Sequence, residues 1–509
     1  MELELQKMSL DTYETDGEVT LTQEETSETI VPDYCPDIAR IIETSGKIFI
    51  HSRELRDGRA EMTGTVHISV LYTPEGESGI RVLEFALPFT AESDNQSFTG
   101  CSCLMAETET EFLETRMLNP RKLFTHCKLV SRLTGYRKAP VRICTDIEAA
   151  PELCVEKRQE QQHVVLLTGI AEKDFTFSEE INLSAGREGA AELLNSQVCS
   201  TVTEAKVVGS KLIFKGLFTI NVLYRTADGQ CCAAVSELPF SQIMEVEGVS
   251  ETAAASMRLQ LTGCDLQIGG GEGHQIEVTL YLHAMALLWE EKELTLLGDL
   301  YSTAYETTYE ASPLPLTSYR ETMEQRQNVR ETLEIGVVAD SILALSVTCG
   351  AVSAVRENGG VTLRTGAAVR ALYQDEGGVP LITERCIDVT CQPELPKDCH
   401  VTARAVCPEE IQGNLTERGI EVRFPVEFRI EAASCVDRVC ISSAELDQET
   451  PKETQGTPSL VLRYLQSRET AWDLAKAYNT TIRAIFAANQ LKEGEELPRE
   501  KLLLIPRKR

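Results

Sequence analysis

Phe214-Lys215-Gly216-Leu217-Phe218-Thr219-Ile220-Asn221-Val222-Leu223-Tyr224 alternates apolar and polar side chains. Phe214, Phe218, Ile220, Val222 and Tyr224 share one face while Lys215, Thr219 and Asn221 point away, as a half-buried β-strand requires. The same slots recur in Met62-Thr63-Gly64-Thr65-Val66-His67-Ile68-Ser69-Val70-Leu71-Tyr72 and in Leu363-Arg364-Thr365-Gly366-Ala367-Ala368-Val369-Arg370-Ala371-Leu372-Tyr373. Tyr72, Tyr224 and Tyr373 lie 152 and then 149 residues apart, a repeat period near 150. Gly64 and Gly216 coincide, and a glycine inside a strand marks a bulge or a close backbone approach. The third copy carries Thr365 in that slot and Gly366 one place later, which predicts a different kink.

A turn follows each copy: Thr73-Pro74-Glu75-Gly76, Asp228-Gly229 and Glu376-Gly377-Gly378. The next strand ends in Leu87-Pro88-Phe89 and in Leu238-Pro239-Phe240, whereas the third copy reads Cys386-Ile387-Asp388-Val389. Alternating strands close the second and third repeats, Ile276-Val278-Leu280-Leu282 and Val422-Phe424-Val426-Phe428-Ile430. Short strands with regular turn signals predict a mainly β chain built of small sandwiches or open barrels.

At 509 residues the chain is too long for one core and should divide into three or four domains. Every apolar run is broken by charge, so no membrane span is expected, and the acidic start Met1-Glu2-Leu3-Glu4 does not read as a signal peptide. A cytosolic protein is therefore expected. The 17 cysteines are scattered, with no C-x-x-C knuckle for zinc. They read as reduced thiols, or as sites of late oxidative cross-linking after assembly. The net charge of −30 argues against nucleic acid. From Leu460 to Arg509 there are 10 basic and 6 acidic residues, a balance of +4, so the other 459 residues carry −34. That asymmetry suits steering of a small basic end toward an acidic partner.

The Tyr-ending strand, the Pro-Phe ending, Val31-Pro32-Asp33-Tyr34-Cys35-Pro36-Asp37-Ile38, Asn119-Pro120-Arg121-Lys122-Leu123 and Asp299-Leu300-Tyr301-Ser302-Thr303 resemble the SPOCS domain of spore-forming Firmicutes. The resemblance implies three SPOCS-like repeats, at 30–145, 175–310 and 325–446, with a structural part in spore envelope assembly and no catalytic role. Residues 447–458 read as a solvated linker.

Beyond it, Leu460 to Leu465 predicts a strand, and Thr470 and Thr481 can cap two short helices. Ala471, Leu474, Ala475 and Tyr478 share a face of the first helix, and Ile482, Ile485 and Phe486 a face of the second. Leu502 to Ile505 closes a βααβ unit over 459–509. Thr470-Ala471-Trp472-Asp473-Leu474-Ala475, Tyr478-Asn479-Thr480-Thr481, Ala488-Asn489-Gln490-Leu491 and Leu504-Ile505-Pro506 resemble a LysM domain. That family binds N-acetylglucosamine polymers between its first strand-to-helix loop and the loop after its second helix. The implied contact residues are Arg468, Glu469, Thr470, Ala471, Trp472, Asn489, Gln490 and Leu491.

Where the family has Gly-Asp-Thr-Leu, this chain has Arg468-Glu469-Thr470-Ala471. Arginine disfavours the close backbone approach that glycine permits, and it can pair with a partner carboxylate. Trp472 reads either as a partner contact or as a buried aromatic. SPOCS repeats before a LysM module resemble clostridial spore coat morphogenesis proteins. The resemblance implies a non-enzymatic adaptor that binds a coat morphogenetic ATPase in the mother-cell cytoplasm, peripherally associated with the forespore surface. The alternative is a scaffold binding peptidoglycan or N-acetylglucosamine in the wall or cortex. No cofactor or metal is expected: Ile268-Gly269-Gly270-Gly271-Glu272-Gly273 precedes a strand and lacks a phosphate-loop lysine, and the histidines are isolated.

Overall fold

The three copies of the alternating pattern become the middle strands of three antiparallel sheets. The computed structural model describes the chain apart from residues 78, 184, 185, 187, 271, 272, 358, 359, 408–410, 418, 453–457, 467, 468, 493, 494, 496, 499–501, 508 and 509. Its first part comprises β1 (Glu4–Leu10), β2 (Tyr13–Ile30), β3 (Ile38–Arg56), β4 (Arg59–Pro74), β5 (Arg81–Asp94), β6 (Cys103–Asn119), β7 (Lys122–Lys138) and β8 (Val141–Glu148). One sheet has the order β3-β4-β5 and the other β2-β7-β6, while β1 and β8 prolong the β2–β7 ladder. Met62, Val66, Ile68, Val70 and Tyr72 of β4 are all buried between the two sheets, with Leu123, Leu129 and Leu133 of β7 opposite.

The path is repeated. β9 (Val155–Asn182), β10 (Ala190–Val208), β11 (Lys211–Thr226), β12 (Cys231–Glu245), β13 (Ala254–Gly269) and β14 (Gln275–Ser302) give sheets β10-β11-β12 and β13-β14-β9. The third stretch comprises β15 (Tyr305–Glu334), β16 (Ala339–Cys349), β17 (Ser353–Glu357), β18 (Gly360–Asp375), β19 (Pro380–Cys391), β20 (His400–Val406), β21 (Gln412–Thr416) and β22 (Gly419–Pro451). Here β16 and β17 both pair with β18, and β20 and β21 both pair with β22, so two strand positions are split. The kink expected in the strand at Gly366 is not there: β18 runs unbroken from Gly360 to Asp375 with no register shift against β19, and the break falls in its partner, between β16 and β17. Gly350 N–H donates to the Gly366 carbonyl, and Thr365 Oγ1 donates to the Gly350 carbonyl at 2.8 Å.

Strands run past their sandwiches as three two-stranded ribbons: first β1 with β8 out to Glu4 and Glu148, second β9 with β14 out to Val155 and Ser302, and third β15 with β22 out to Tyr305 and Pro451. The segment expected as linker therefore begins inside a strand, since Glu306 pairs with Asp447 and Tyr305 with Pro451. Residues 453–457 of that linker lie outside the described residues.

The ribbons meet in a shared core of Leu3, Ile143, Leu166, Leu296, Leu300, Ile441 and Leu446. There the Cys144 N–H donates to Cys440 Sγ at 3.2 Å, joining the first and third ribbons. Farther along, Leu71, Leu223 and Leu372, each the residue before a repeat tyrosine, pack together with Ile42, Leu194 and Leu343. Equivalent residues thus meet their own counterparts around a pseudo-threefold axis. Each such leucine removed from water contributes about 1.5–3 kcal/mol. Polar links complete the junction: Glu107 lies between Arg258 and Arg404, and Glu431 accepts from Arg258 and, at 2.9 Å, from Arg320.

The C-terminal unit consists of β23 (Leu460–Arg463), α1 (Ala471–Ala477), α2 (Ile482–Ala488) and β24 (Leu503–Pro506), with β23 antiparallel to β24. Thr470 caps α1 in a reciprocal box with Asp473, and Thr481 Oγ1 accepts from Ala484 N–H. Leu474, Ala475, Ile485, Leu503 and Ile505 fill its small core.

Candidate functional site

The residues expected at a LysM-type groove have divergent fates. Arg468 lies outside the described residues. Glu469 turns inward, pairing with Arg463 at 2.6 Å and accepting from Gln466 N–H. Thr470 is exposed and serves as the helix cap, and Ala471 is half-buried beside it. Asn489 is consumed internally: its amide donates to the Ile485 and Leu504 carbonyls and accepts from Leu504 N–H, tying α2 to β24. Gln490 is exposed with φ +57°, and Leu491 N–H donates back to the Phe486 carbonyl. Glu469 and Asn489 thus have their polar atoms committed within the module.

Trp472 resolves to the buried alternative, 5% exposed, but its pocket is supplied by the body rather than by the module alone. Its indole packs edge-to-face on Tyr301, ring centroids 5.0 Å apart, and Nε1 donates to Asp299 Oδ2 at 2.6 Å. Lys476, one turn later on α1, donates to Asp299 Oδ1 at 2.6 Å, and Tyr301 Oη donates to the Thr480 carbonyl at 2.7 Å. The Arg158 guanidinium lies over the indole, 5.8 Å from the ring centre. Lys452 bridges the Ser302 carbonyl and Asn479. Asp299 and Tyr301 stood out in the sequence only as part of a family motif, and nothing local marks them as the seat for a helix 173 residues away.

Burial alone would raise the Asp299 pKa, yet hydrogen bonds from Lys476, Trp472 and Tyr309 hold it below the ordinary aspartate value. Lys476 responds in kind: burial would lower its pKa, but the Asp299 carboxylate raises it. The module is thereby seated on the ribbon of the second sandwich through a carboxylate that accepts from three side chains.

The open side of the module is its sheet. Val461, Leu503 and Ile505 point to the helices, so Leu460, Leu462, Tyr464 and Leu502 point outward and are exposed, Leu462 at 57%. Leu462 pairs with Leu504, which makes the outward face one continuous apolar strip. Period-two alternation in Leu460–Tyr464 was the signal that could have found it.

Elsewhere, a cleft of about 210 Å³ opens where the three sandwiches join, lined by Arg53, Glu107, Arg258, His283, Met285 and Arg404. Its charges are largely engaged with one another, as in the Glu107 link to Arg258 and Arg404. Among the described residues, no group of three His, Cys, Asp or Glu could hold a metal ion, and no helix is long and apolar enough to cross a membrane.

At the opposite end, Arg121 organises the loop between β2 and β3. Its guanidinium donates to the Val31, Pro32 and Cys35 carbonyls and to the Asp37 carboxylate, and it lies 3.3 Å from Asp33. This loop opens a run of strands, β3 into β6, whose counterpart in the second sandwich is β10 to β13.

Those strands match a known domain family. Residues 37–110 and 190–268 match the family described as SipL, SPOCS domain. Both matches span the same four successive strand positions, which agrees with the shared path of the first and second sandwiches. The match supports a role connected with sporulation and the spore coat. No curated protein matches the chain.

Proposed function

We propose that this protein is a non-enzymatic adaptor of spore coat assembly, with three SPOCS-like repeats as its body and a LysM-like C-terminal module as its protein-binding end. The module engages a coat morphogenetic ATPase at the forespore surface, in the mother-cell cytoplasm. The observation that carries this reading is the outward apolar strip of Leu460, Leu462, Tyr464 and Leu502. Contiguous exposed leucine and tyrosine on a small basic unit suit a protein interface better than a sugar, which needs polar groups aligned with its hydroxyls. The binding face moves accordingly from Trp472, which is committed to the body, to the sheet.

Titration of the full chain against the purified coat ATPase and against N-acetylglucosamine oligomers tests this. ATPase binding that falls at least about tenfold in Leu462→Glu supports the adaptor. Glycan binding that is indifferent to Leu462, with no affinity for the ATPase, instead supports the wall or cortex scaffold.

A further inference from the structure

Two buried thiols, 296 residues apart in the chain, meet where the first and third ribbons join. Cys144 lies on β8 and Cys440 on β22, 2% and 7% exposed, and both are free thiols. Cys440 Sγ stands 3.2 Å from the Cys144 nitrogen and 3.9 Å from the Cys144 carbonyl oxygen, so it rests against the backbone of the other cysteine. That contact caps the separation of the two Cα atoms at about 7.5 Å even for a straight path between them. The bends in the path shorten it toward the range of roughly 4.4–6.8 Å that a disulfide spans.

The backbones on either side are held in place. Leu3 N–H donates to the Ala444 carbonyl and Leu446 N–H to the Met1 carbonyl, which ties the start of the first ribbon to β22 a few residues from Cys440. Ile143, Ile147, Ile441 and Leu446 pack around the two sulfurs in one apolar cluster. A pair of thiols fixed together in this way can be joined with little rearrangement of the chain.

We propose that Cys144 and Cys440 are an oxidisable pair, and that their disulfide locks the first ribbon to the third. The oxidant is a peroxide. The N–H aimed at Cys440 Sγ steadies negative charge as it develops there, so Cys440 is the sulfur that attacks. It takes one peroxide oxygen, the O–O bond breaks, and the Cys440 proton leaves with the other oxygen as water. The Cys144 sulfur then displaces the oxygen from Cys440: the S–S bond forms, the S–O bond breaks, and the Cys144 proton completes a second water. Two thiols are oxidised and one peroxide is reduced. The product closes a loop of nearly the whole body and removes much of the freedom of its unfolded chain. It also fixes β22, the strand that runs on through Pro451 toward the module.

The reduced full chain, treated with hydrogen peroxide, digested without reductant and read by mass spectrometry, tests the pair. The expected product is a linked pair of peptides carrying Cys144 and Cys440, about 2 Da lighter than the two thiol peptides together and parted by dithiothreitol. The urea midpoint of the oxidised protein should lie about 0.5 M or more above that of the reduced protein and return on adding dithiothreitol. Cys440→Ala should abolish the link and the shift, whereas Cys435→Ala, at an exposed position on the same strand, should keep both. If Cys440→Ala does not fold, the linked peptides of the unaltered chain decide alone. The proposal is overturned if Cys144 and Cys440 stay thiols, or end as separate sulfinic acids, while Cys386 and Cys435 are oxidised. An unchanged urea midpoint overturns it as well.

Discussion

Phe89 lies directly across the strand pairing from Gly64, its ring within 2.5 Å of where a Cβ on residue 64 would stand. Gly216 faces Phe240 in the same way in the second sandwich. In the third, Thr365 faces Val389. The glycine and the phenylalanine of the Pro-Phe ending are thus one unit: the ring covers the bare backbone, and where the ring is absent a threonine fills the gap.

Gly216→Ala should be the costlier alanine. Its Cβ would lie 2.1 Å from the Thr201 carbonyl oxygen, a backbone atom that cannot step aside, as well as 2.7 Å from the Phe240 ring. A loss of about 2–4 kcal/mol is expected by urea unfolding. Gly366→Ala meets only Cys386 Sγ at 3.0 Å and should cost less than about 1 kcal/mol. Equal costs at the two sites would remove the packing argument.

Asp299→Ala should release the module from the body. It strands the Trp472 indole N–H and removes the Lys476 partner, an expected loss of about 1–3 kcal/mol in docking. In a Trp289→Phe background, the fluorescence of Trp472 should shift to the red. No shift would mean that packing on Tyr301 suffices.

Docking should be flat with pH across the neutral range. The docked Asp299 pKa is depressed, so its contribution is full above the ordinary aspartate value of 3.8 and is lost as pH falls through the lower docked value. Lys476 is shifted up from 10.5, so its share is lost only as pH rises past that raised value. Trp472 emission from pH 5 to 9 should therefore stay constant; a midpoint in that range would point to a different titrating group.

Glu431→Gln should loosen the junction of the three sandwiches. Burial would raise the Glu431 pKa, but Arg258 and Arg320 hold it down, so the carboxylate is charged and paired where the sandwiches meet. Its neutralisation leaves Arg320, nearly buried against the Trp289 ring at 4.2 Å, without its anion. A loss near 3 kcal/mol is expected, with thermal unfolding splitting into more than one transition.

The repeating strands were legible because one face of each is dry and the other wet, which writes period two into the chain. The helix caps Thr470 and Thr481 were legible for a similar local reason. The ribbons were not: along Tyr305–Glu310 and Glu445–Pro451 both faces are largely polar, and only pairing between distant segments makes them strands. The environment of Trp472 was equally hidden, because Asp299, Tyr301 and Arg158 reach it through the fold and not through sequence spacing.

The hydrogen bond from Cys144 N–H to Cys440 Sγ has a further use. Both thiols are buried where the first and third ribbons join, and burial pushes the Cys144 thiol up, away from the reactive thiolate. Cys386 and Cys435, by contrast, are exposed. A thiol reagent should therefore mark the outer cysteines at once and reach Cys144 only when the ribbons part. Its labelling rate becomes a clock for how often the junction of the ribbons breathes open.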